Sequence, residues 1–504
     1  MDVRGFANSI AWTSSLAGFI RVANFIINQL SLRLIDPANL GRQSFKLDLL
    51  YSSVQQLSKD SVGLAALNGS ISSQQSINLS FLAIPLNVIS LFIARVTFFR
   101  SLDGVGDDND YNAALLLYTV AILVESLVEP LKLQAIRRAE VKRRLLVDSV
   151  AFATKSIGTL VLLSKYGQSH SLSSHAAGQL NYSLIQLLAY ITDYLSEARV
   201  IFPGRLSNES AFHKQSTAAL RALTTQALIK LGLTQGDKYI ISTHLSDADQ
   251  GAFALADNYG SIVARVALLP IEENSRVYFS SKVSAQQCAS VLRLLLHAYT
   301  LLLCVLPAFI PSYAQSVLQV LLPQYSTSSA LSILPHYSIY IPFMAYNGIL
   351  ESYLHSTATS VLIDRHSRFL TLLSLLLMPS IYTALAHSST SLHPIIIVYA
   401  NIANLGARSV YAYSYASRTL GDADRNASSG LSMKSILPHK LVILACVVAG
   451  AVTHYSKLSY SLVAHFAIGG ICGVSICVLI VITERARVMS VIKDVKQHRA
   501  DKSK

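Results

Sequence analysis

The sequence predicts an all-α polytopic membrane protein with about fourteen transmembrane helices. Only 14% of the 504 residues are charged and 52% are hydrophobic, whereas soluble globular proteins carry about 25% charged residues. The apolar residues collect into stretches of about 20, the length of a helix that crosses a bilayer. Basic residues gather in alternate connections between these stretches. The composition therefore excludes an ordinary soluble enzyme and a disordered or fibrous chain.

The predicted spans follow one another along the chain with short connections. Their centres lie near residues 21, 56, 87, 120, 155, 187, 231, 261, 300, 344, 375, 403, 446 and 472. Equal blocks of six spans predict two six-helix lobes, as in transporters with internal repeats. The predicted parts are an N-terminal lobe at 1–200, a cytosolic linker at 201–214, a C-terminal lobe at 215–420, a cytosolic loop at 421–435, two peripheral helices at 436–484 and a basic tail at 485–504.

The distribution of charge predicts the orientation in the membrane. The formal net charge is +13, and the basic residues concentrate after span four, after span twelve and in the C-terminal tail. These regions lie on one side of the membrane if the spans alternate in direction, and the opposite side holds an acidic loop at 103–110. The positive-inside rule therefore predicts that both termini are cytosolic. The run after span four consists of Lys132, Arg137, Arg138, Lys142, Arg143 and Arg144.

Polar side chains within the spans are the main functional signal, because a charge in hydrocarbon is costly unless it meets a partner or water. At about 100° per residue, most polar residues of span two share one arc, while Lys59 lies further round. In span eight the stripe is narrower, and we expect Pro270 to kink that helix. The positions are Arg21, Asn24 and Asn28 in span one; Lys46, Ser53, Gln56 and Asp60 in span two; and Asn258, Ser261, Arg265 and Glu272 in span eight.

Further polar positions occur in other spans. Glu125 and Glu129 lie one turn apart in span four. These side chains either line a cavity whose basic groups bind a phosphate-bearing head group or pair with one another and fix helix packing. Pairing is the favoured interpretation for Glu125, Glu129, Asp237 and Lys238, and the cavity interpretation is favoured for Arg21, Lys59 and Arg265. The remaining positions are Asn401, Asn404 and Arg408 on one face of span twelve, and single charges at Lys155, Asp193, Lys230 and Glu351.

A block in spans seven and eight closely resembles the signature of one family. It is similar to the Rft-type oligosaccharide translocation proteins of the eukaryotic endoplasmic reticulum, and further similarities cover nearly the whole chain. The block comprises Gly236-Asp237-Lys238-Tyr239, Asp249-Gln250-Gly251, Asn258, Gly260-Ser261, Val263-Ala264-Arg265 and Pro270-Ile271-Glu272-Glu273. The further matches include Arg21, Asn28, Arg33, Glu125 with Glu129-Pro130, Lys155-Ser156, Asn347-Gly348 with Glu351, Asn401, Asn404 and Arg408.

The chain departs from the family pattern at several basic positions. Lys46, Lys59 and Lys238 stand where the family commonly has arginine. Lysine keeps the positive charge, but it cannot bind phosphate through two parallel hydrogen bonds as arginine does.

The resemblance implies a fold like that of the multidrug, oligosaccharidyl-lipid and polysaccharide exporter superfamily, with the lobes forming a V around a central cavity. The implied role is to move dolichol-diphosphate-linked oligosaccharide from the cytosolic to the lumenal leaflet of the endoplasmic reticulum for protein N-glycosylation. The head group would meet Arg21, Lys59, Lys155, Arg265, Asn258, Asn401 and Asn404. The cavity or packing charges would be Asn28, Lys46, Asp60, Glu125, Glu129, Glu272, Glu351 and Arg408.

Other functions stay open at the level of sequence. One alternative is a non-transporting membrane factor of the same pathway, associated with glycan-assembly enzymes. Another is an ion-coupled small-molecule exporter that uses intramembrane carboxylates. Because no glycine-rich phosphate loop and no metal-ligand spacing occurs, we expect a non-enzymatic protein without cofactor or metal. The expected partners are the dolichol-linked lipid and membrane lipids, without nucleic acid.

Overall fold

The computed structural model of the protein describes residues 26–67, 72–94, 96, 108–138, 140–196, 203, 214–264, 268–280, 285–422 and 436–502. Helix dominates these residues, and no strand occurs among them. The chain divides into two packing units, unit 1 at residues 1–251 and unit 2 at residues 252–504. The units divide later in the chain than the predicted linker at 201–214, and the predicted lobes stay a prediction.

Unit 1 contains a long helix that π-helical segments interrupt twice. It starts at α1, where Asp36 accepts a hydrogen bond from the backbone amide of Asn39 at 3.3 Å and proline occupies the first helical turn. Each π-helical segment carries charged residues of predicted span two, and π-helical insertions often mark functional sites. The order is α1 (Pro37–Arg42), π1 (Gln43–Leu47), α2 (Asp48–Ser58), π2 (Lys59–Gly63) and a last turn (Leu64–Ala66).

The other helices of unit 1 surround this element. α5 packs along α7, α6 packs along α7, and α8 packs against α2 and π2. Leu47, Tyr118, Ile122 and Leu172 are buried in the core between α2, α5 and α7. The helices are α3 (Ser73–Ser80), α4 (Ala83–Ala94), α5 (Asn109–Arg137), α6 (Val141–Tyr166), α7 (Ser171–Ser196), α8 (Lys214–His244) and α9 (Asp247–Val263), of which residues 247–251 belong to unit 1.

The basic run after span four lies where α5 ends and α6 begins. α5 continues to Arg137 and α6 begins at Val141, so most of the basic run after span four is helical. The run contains no glycine or proline, and arginine and lysine are good helix formers. The basic residues therefore do not break the helices.

Unit 2 is built around α12, which packs along α11 and α14. The buried Ala412 and Ala416 leave room on α14 for the close approach of α12. α15 and α16 pack on α11 through Ala308 and Cys446, and the ring of Tyr313 stacks on His465 at a centroid distance of 4.0 Å. The helices are α10 (Leu269–Ser280), α11 (Ala285–Leu321), α12 (Ala330–Thr357), α13 (Ser360–Ala386), α14 (His393–Asp422), α15 (Lys440–Ser459) and α16 (Leu462–Lys502).

The predicted fold class is confirmed, because the described residues form an all-helical protein with helices that suit a membrane. Eight of their helices are long and apolar enough to cross a bilayer. Every predicted span centre from residue 56 onward lies in a helix, whereas residue 21 lies outside the described residues. α8 has 31 residues, long enough to span, but it is not among those eight. The total of fourteen spans stays a prediction.

Candidate functional site

The first polar group of unit 1 lies where π2 faces α5. Lys59 begins π2, and its Nζ lies 3.5 Å from Glu125 Oε1. The hydroxyl of Tyr51 donates to the other carboxylate oxygen of Glu125. The Lys59 side chain is 43% exposed, whereas that of Glu125 is 3% exposed. Glu125 is therefore a buried acceptor held by Tyr51, while Lys59 makes one long contact with it and has a partly exposed side chain.

An adjacent face of the same helix packs against α8. Lys230 Nζ lies 2.8 Å from Asp60 Oδ2. One turn earlier, the Gln56 amide donates to Thr234 Oγ1 at 3.1 Å and accepts from Gln235 Nε2 at 3.1 Å. Two residues of the polar arc predicted for span two, Gln56 and Asp60, therefore contact α8, whereas Lys59 contacts α5.

A second carboxylate lies further along α5. Glu129 is buried, and no hydrogen-bond donor to it occurs among the described residues. The neighbouring Lys132 Nζ instead contacts Asp148 Oδ1 at 3.1 Å, and Gln186 donates to the same oxygen at 2.8 Å. Polar side chains of α5, α6 and α7 thus form a packed layer beside the Lys59–Glu125 pair.

Lys155 points into the interface between α6 and α7. Its Nζ donates to Gln179 Oε1 at 2.5 Å, and Gln179 is itself buried. An added β-carbon at Gly178 would lie 2.0 Å from Thr159 Oγ1, so α6 and α7 approach closely at this level. This environment favours a packing role for Lys155, and its predicted role at the head group stays a prediction.

A third group of charged residues in unit 1 joins the start of α9 to α1 and π1. Asp247, at the start of α9, lies 2.7 Å from Arg42 Nε and 2.8 Å from the buried Lys46 Nζ, and Arg42 also contacts Asp108 at 2.7 Å. The backbones of α1 and α9 touch here, because a β-carbon at Gly251 would lie only 1.7 Å from a backbone oxygen of α1. Burial alone would raise the pKa of Asp247, but the contacts with Lys46 and Arg42 lower it below its usual 3.8.

In unit 2 the charges pair within the protein. Arg408 binds Glu351 through two hydrogen bonds, from Nε at 2.9 Å and from Nη2 at 2.8 Å. The ring of the buried His366 lies 3.7 Å from the same carboxylate. Glu272 pairs with Arg276 one turn away at 3.1 Å. The structure therefore supports a packing role for these charges of unit 2.

The remaining predicted positions are less constrained. Arg21 and Arg265 lie outside the described residues. Asn28 is exposed in the helical stretch at 26–32, and Asn258, Asn401 and Asn404 are partly exposed on α9 and α14. Their predicted contacts with a head group stay predictions.

Sequence reasoning missed the partners more often than the positions. It gave no specific role to Lys230 and no role to Tyr51 or Gln179, although each contacts a predicted residue. The available signal for Lys230 was its place in the middle of predicted span seven, where a lysine requires a partner.

Comparison with known proteins gives the family. A family model described as Rft protein matches residues 7–494. The chain belongs to the Rft family. Relatives named Man(5)GlcNAc(2)-PP-dolichol translocation protein RFT1 include that of Xenopus tropicalis, which is 27% identical over 90% of this chain and 90% of the relative. Those of Mus musculus and Saccharomyces cerevisiae are each 24% identical over 94% of this chain and 93% of the relative.

Solved structures show the same fold as this Rft-family chain. A structure titled lipid II flippase MurJ, inward closed conformation, has a TM-score of 0.64 with 13% identity, covering 95% of this chain and 100% of that chain. An inward-facing multidrug resistance MATE family transporter of the MOP superfamily has a TM-score of 0.58 with 10% identity, covering 80% of this chain and 96% of that chain. The Rft chain is thus a multi-pass membrane protein with a transporter fold.

Proposed function

We propose that this chain moves a dolichol-diphosphate-linked oligosaccharide from the cytosolic to the lumenal leaflet of the endoplasmic reticulum membrane, for protein N-glycosylation. The observation that carries the proposal is the similarity over nearly the whole chain to relatives named for translocation of Man(5)GlcNAc(2)-PP-dolichol. The transporter fold supports the same conclusion. Both termini face the cytosol in this proposal, as the basic connections indicate.

The mechanism is alternating access without covalent chemistry. Lys59 binds the diphosphate, because its exposed ammonium group is held by Glu125 only at 3.5 Å. Arg21 and Arg265 add positive charge to the same head group, and Asn258, Asn401 and Asn404 bind sugar hydroxyls. The polyprenyl chain stays in the hydrocarbon of the bilayer throughout, so its movement between the leaflets requires no transfer into water. The protein needs no cofactor for this reaction and is not an enzyme.

The test is transbilayer movement in liposomes that contain the purified chain and a dolichyl-diphosphate oligosaccharide. A membrane-impermeant glycosidase or lectin reports how fast the head group appears on the other leaflet. We expect acceleration well above protein-free liposomes and a loss of about tenfold or more in Lys59→Gln, since one charge-assisted contact contributes roughly 1.5 kcal/mol.

The matched control is Lys165→Gln, which removes an exposed lysine in the last turn of α6. It should leave the rate unchanged. If folded wild-type protein binds the lipid but does not accelerate its movement, transport is refuted and a non-transporting factor of the pathway is supported.

A further inference from the structure

The helix that carries Lys59 forms a second ion pair with a lysine, on the face that packs against α8. Lys59 and Asp60 are consecutive residues of π2, and each is half of an ion pair with a different helix. Lys59 pairs with Glu125 of α5 at 3.5 Å, and Asp60 pairs with Lys230 of α8 at 2.8 Å. Two lysines and two carboxylates therefore meet around one turn.

The two pairs are asymmetric in the same way. The Lys59 and Lys230 side chains are 43% and 56% exposed, whereas those of Glu125 and Asp60 are 3% and 24% exposed. A lysine ammonium group is strongly hydrated and sits on a flexible stem, so it can exchange partners without movement of the backbone. The carboxylates are fixed by burial, and Glu125 is held further by Tyr51. In both pairs the lysine is the more exposed partner.

Both lysines also lie away from the ends of the long helices that carry them. Lys230 is near the middle of the 31-residue α8, and Lys59 is near the centre of predicted span two. An ammonium group at that depth is costly unless it reaches a wet surface or an anion. The surrounding face is already polar, because Gln56 bonds to Thr234 and Gln235 of α8. This face suits a charged head group better than lipid chains.

We propose that Lys230 is a second ligand of the diphosphate, and that Asp60 and Glu125 occupy the two lysines until the diphosphate replaces them. This inference rests on the proposed function. In the empty site each lysine has one carboxylate as its ion-pair partner. A diphosphate that enters brings two or more negative charges, and each lysine turns from its carboxylate to one phosphate. Asp60 is then a competitor of the substrate, since its carboxylate and a phosphate need the same ammonium group.

This mechanism predicts opposite effects from the two halves of one ion pair. Lys230→Gln removes a ligand and should weaken diphosphate binding about threefold to tenfold. Asp60→Asn removes the competitor and should strengthen it about twofold to fivefold. If the ion pair were purely structural, both variants should weaken diphosphate binding equally, because both break the same contact. Lys230→Arg keeps the charge and should keep most of the affinity.

The experiment uses the full chain in lipid nanodiscs and measures binding of inorganic pyrophosphate and of farnesyl diphosphate, with farnesol as the uncharged control. Pyrophosphate binding with the predicted sign pattern identifies the phosphates as the recognised group, and a pattern seen only with farnesyl diphosphate shows that the site requires the lipid-linked form. Both outcomes support the inference. Equal weakening in Lys230→Gln and Asp60→Asn, or no change in either, overturns it.

The same variants are then placed in the liposome assay, so that the two proposals fail separately. If wild type moves the glycolipid while Lys230→Gln binds diphosphate as tightly as wild type, only the inference is wrong. If the predicted signs appear in binding but wild type moves no lipid, the site stands and the transport function is wrong. Lys165→Gln again controls for the loss of one positive charge.

Discussion

The charged group at the end of unit 1 makes a quantitative prediction about stability. Asp247→Asn removes the carboxylate that lies 2.8 Å from Lys46 and 2.7 Å from Arg42. Arg42 keeps Asp108 at 2.7 Å, but Lys46, whose side chain is only 4% exposed, has no other ion pair among the described residues. The substitution therefore leaves a buried ammonium group without a counter-charge.

The magnitude follows from this geometry. Loss of one partner of a fully buried pair costs about 3–5 kcal/mol. Because the Asp247 side chain is 22% exposed and the new amide still accepts a hydrogen bond, we expect about 2 kcal/mol. Lys46→Met should cost less, since Asp247 keeps Arg42. The double variant should be more stable than the sum of the single effects implies, by at least about 1 kcal/mol.

The assay is equilibrium unfolding by SDS in detergent micelles, followed by circular dichroism, on the wild type and the three variants. Strict additivity of the two substitutions would refute the direct Lys46–Asp247 interaction. A loss in Asp247→Asn below about 0.5 kcal/mol would refute the burial argument.

The same residue predicts a dependence on pH. The contacts with Lys46 and Arg42 lower the pKa of Asp247 below its usual 3.8, against the effect of burial. A carboxylate with a lowered folded-state pKa stabilises the protein above its unfolded-state pKa and loses this effect as the pH falls through the folded-state value. The stability difference between wild type and Asp247→Asn should thus be constant from about pH 5 to 8 and shrink below about pH 4. A difference that grows on acidification contradicts this assignment.

Other predictions concern glycines and the buried pair of unit 2, and SDS unfolding tests each unless stated otherwise. Gly251→Ala should cost more than about 3 kcal/mol, because its β-carbon would lie 1.7 Å from a backbone oxygen of α1. Gly470→Ala is the control, with no atom within 4 Å of an added β-carbon. Gly469→Ala should weaken the packing of α16 on α11, since its β-carbon would lie 2.2 Å from the hydroxyl of Tyr313. The measurement is the rate of thiol labelling of the buried Cys446 on α15, which should increase. Glu351→Gln and Arg408→Gln should each lower the free energy of unfolding by about 2–4 kcal/mol. A variant in which the two residues are exchanged should recover part of this loss. No recovery would mean that the neighbouring residues require the acid on α12 and the base on α14.

The sequence predicts the helices well, because hydropathy is a local property. Apolar stretches of about 20 residues locate helices without knowledge of their neighbours. The periodicity also separates Lys59 from the polar arc of span two, and Gln56 and Asp60 of this arc contact α8. Periodicity fixes the face of a helix, however, and not the helix that the face meets.

The ion-pair partners and the π-helical segments depend on how the helices pack in the folded protein, so the sequence could not predict them. Glu351 and Arg408 appear in the sequence as unrelated charges, 57 residues apart, and only the packing of α12 on α14 brings them together. The π-helical segments that carry Lys46 and Lys59 have no distinctive composition. Each adds one residue to a turn, an arrangement that packing with neighbouring helices must stabilise.

The ion pairs of the two units differ in a way that favours unit 1 for binding of the diphosphate. Arg408 and Glu351 form two short, parallel hydrogen bonds at 2.9 and 2.8 Å, and such a bidentate pair loses both bonds when a third group enters. Lys59 and Glu125 share one long contact of 3.5 Å, with the lysine 43% exposed. Exchange of a phosphate for Glu125 removes one long contact, and Glu125 keeps the hydrogen bond from Tyr51. Exchange at Arg408 would remove two short hydrogen bonds from Glu351. A lysine at position 59 favours exchange as well, because a point charge releases its partner more readily than a planar guanidinium. A substrate that must be released on the far side of the membrane is better served by such exchangeable contacts than by tight ones.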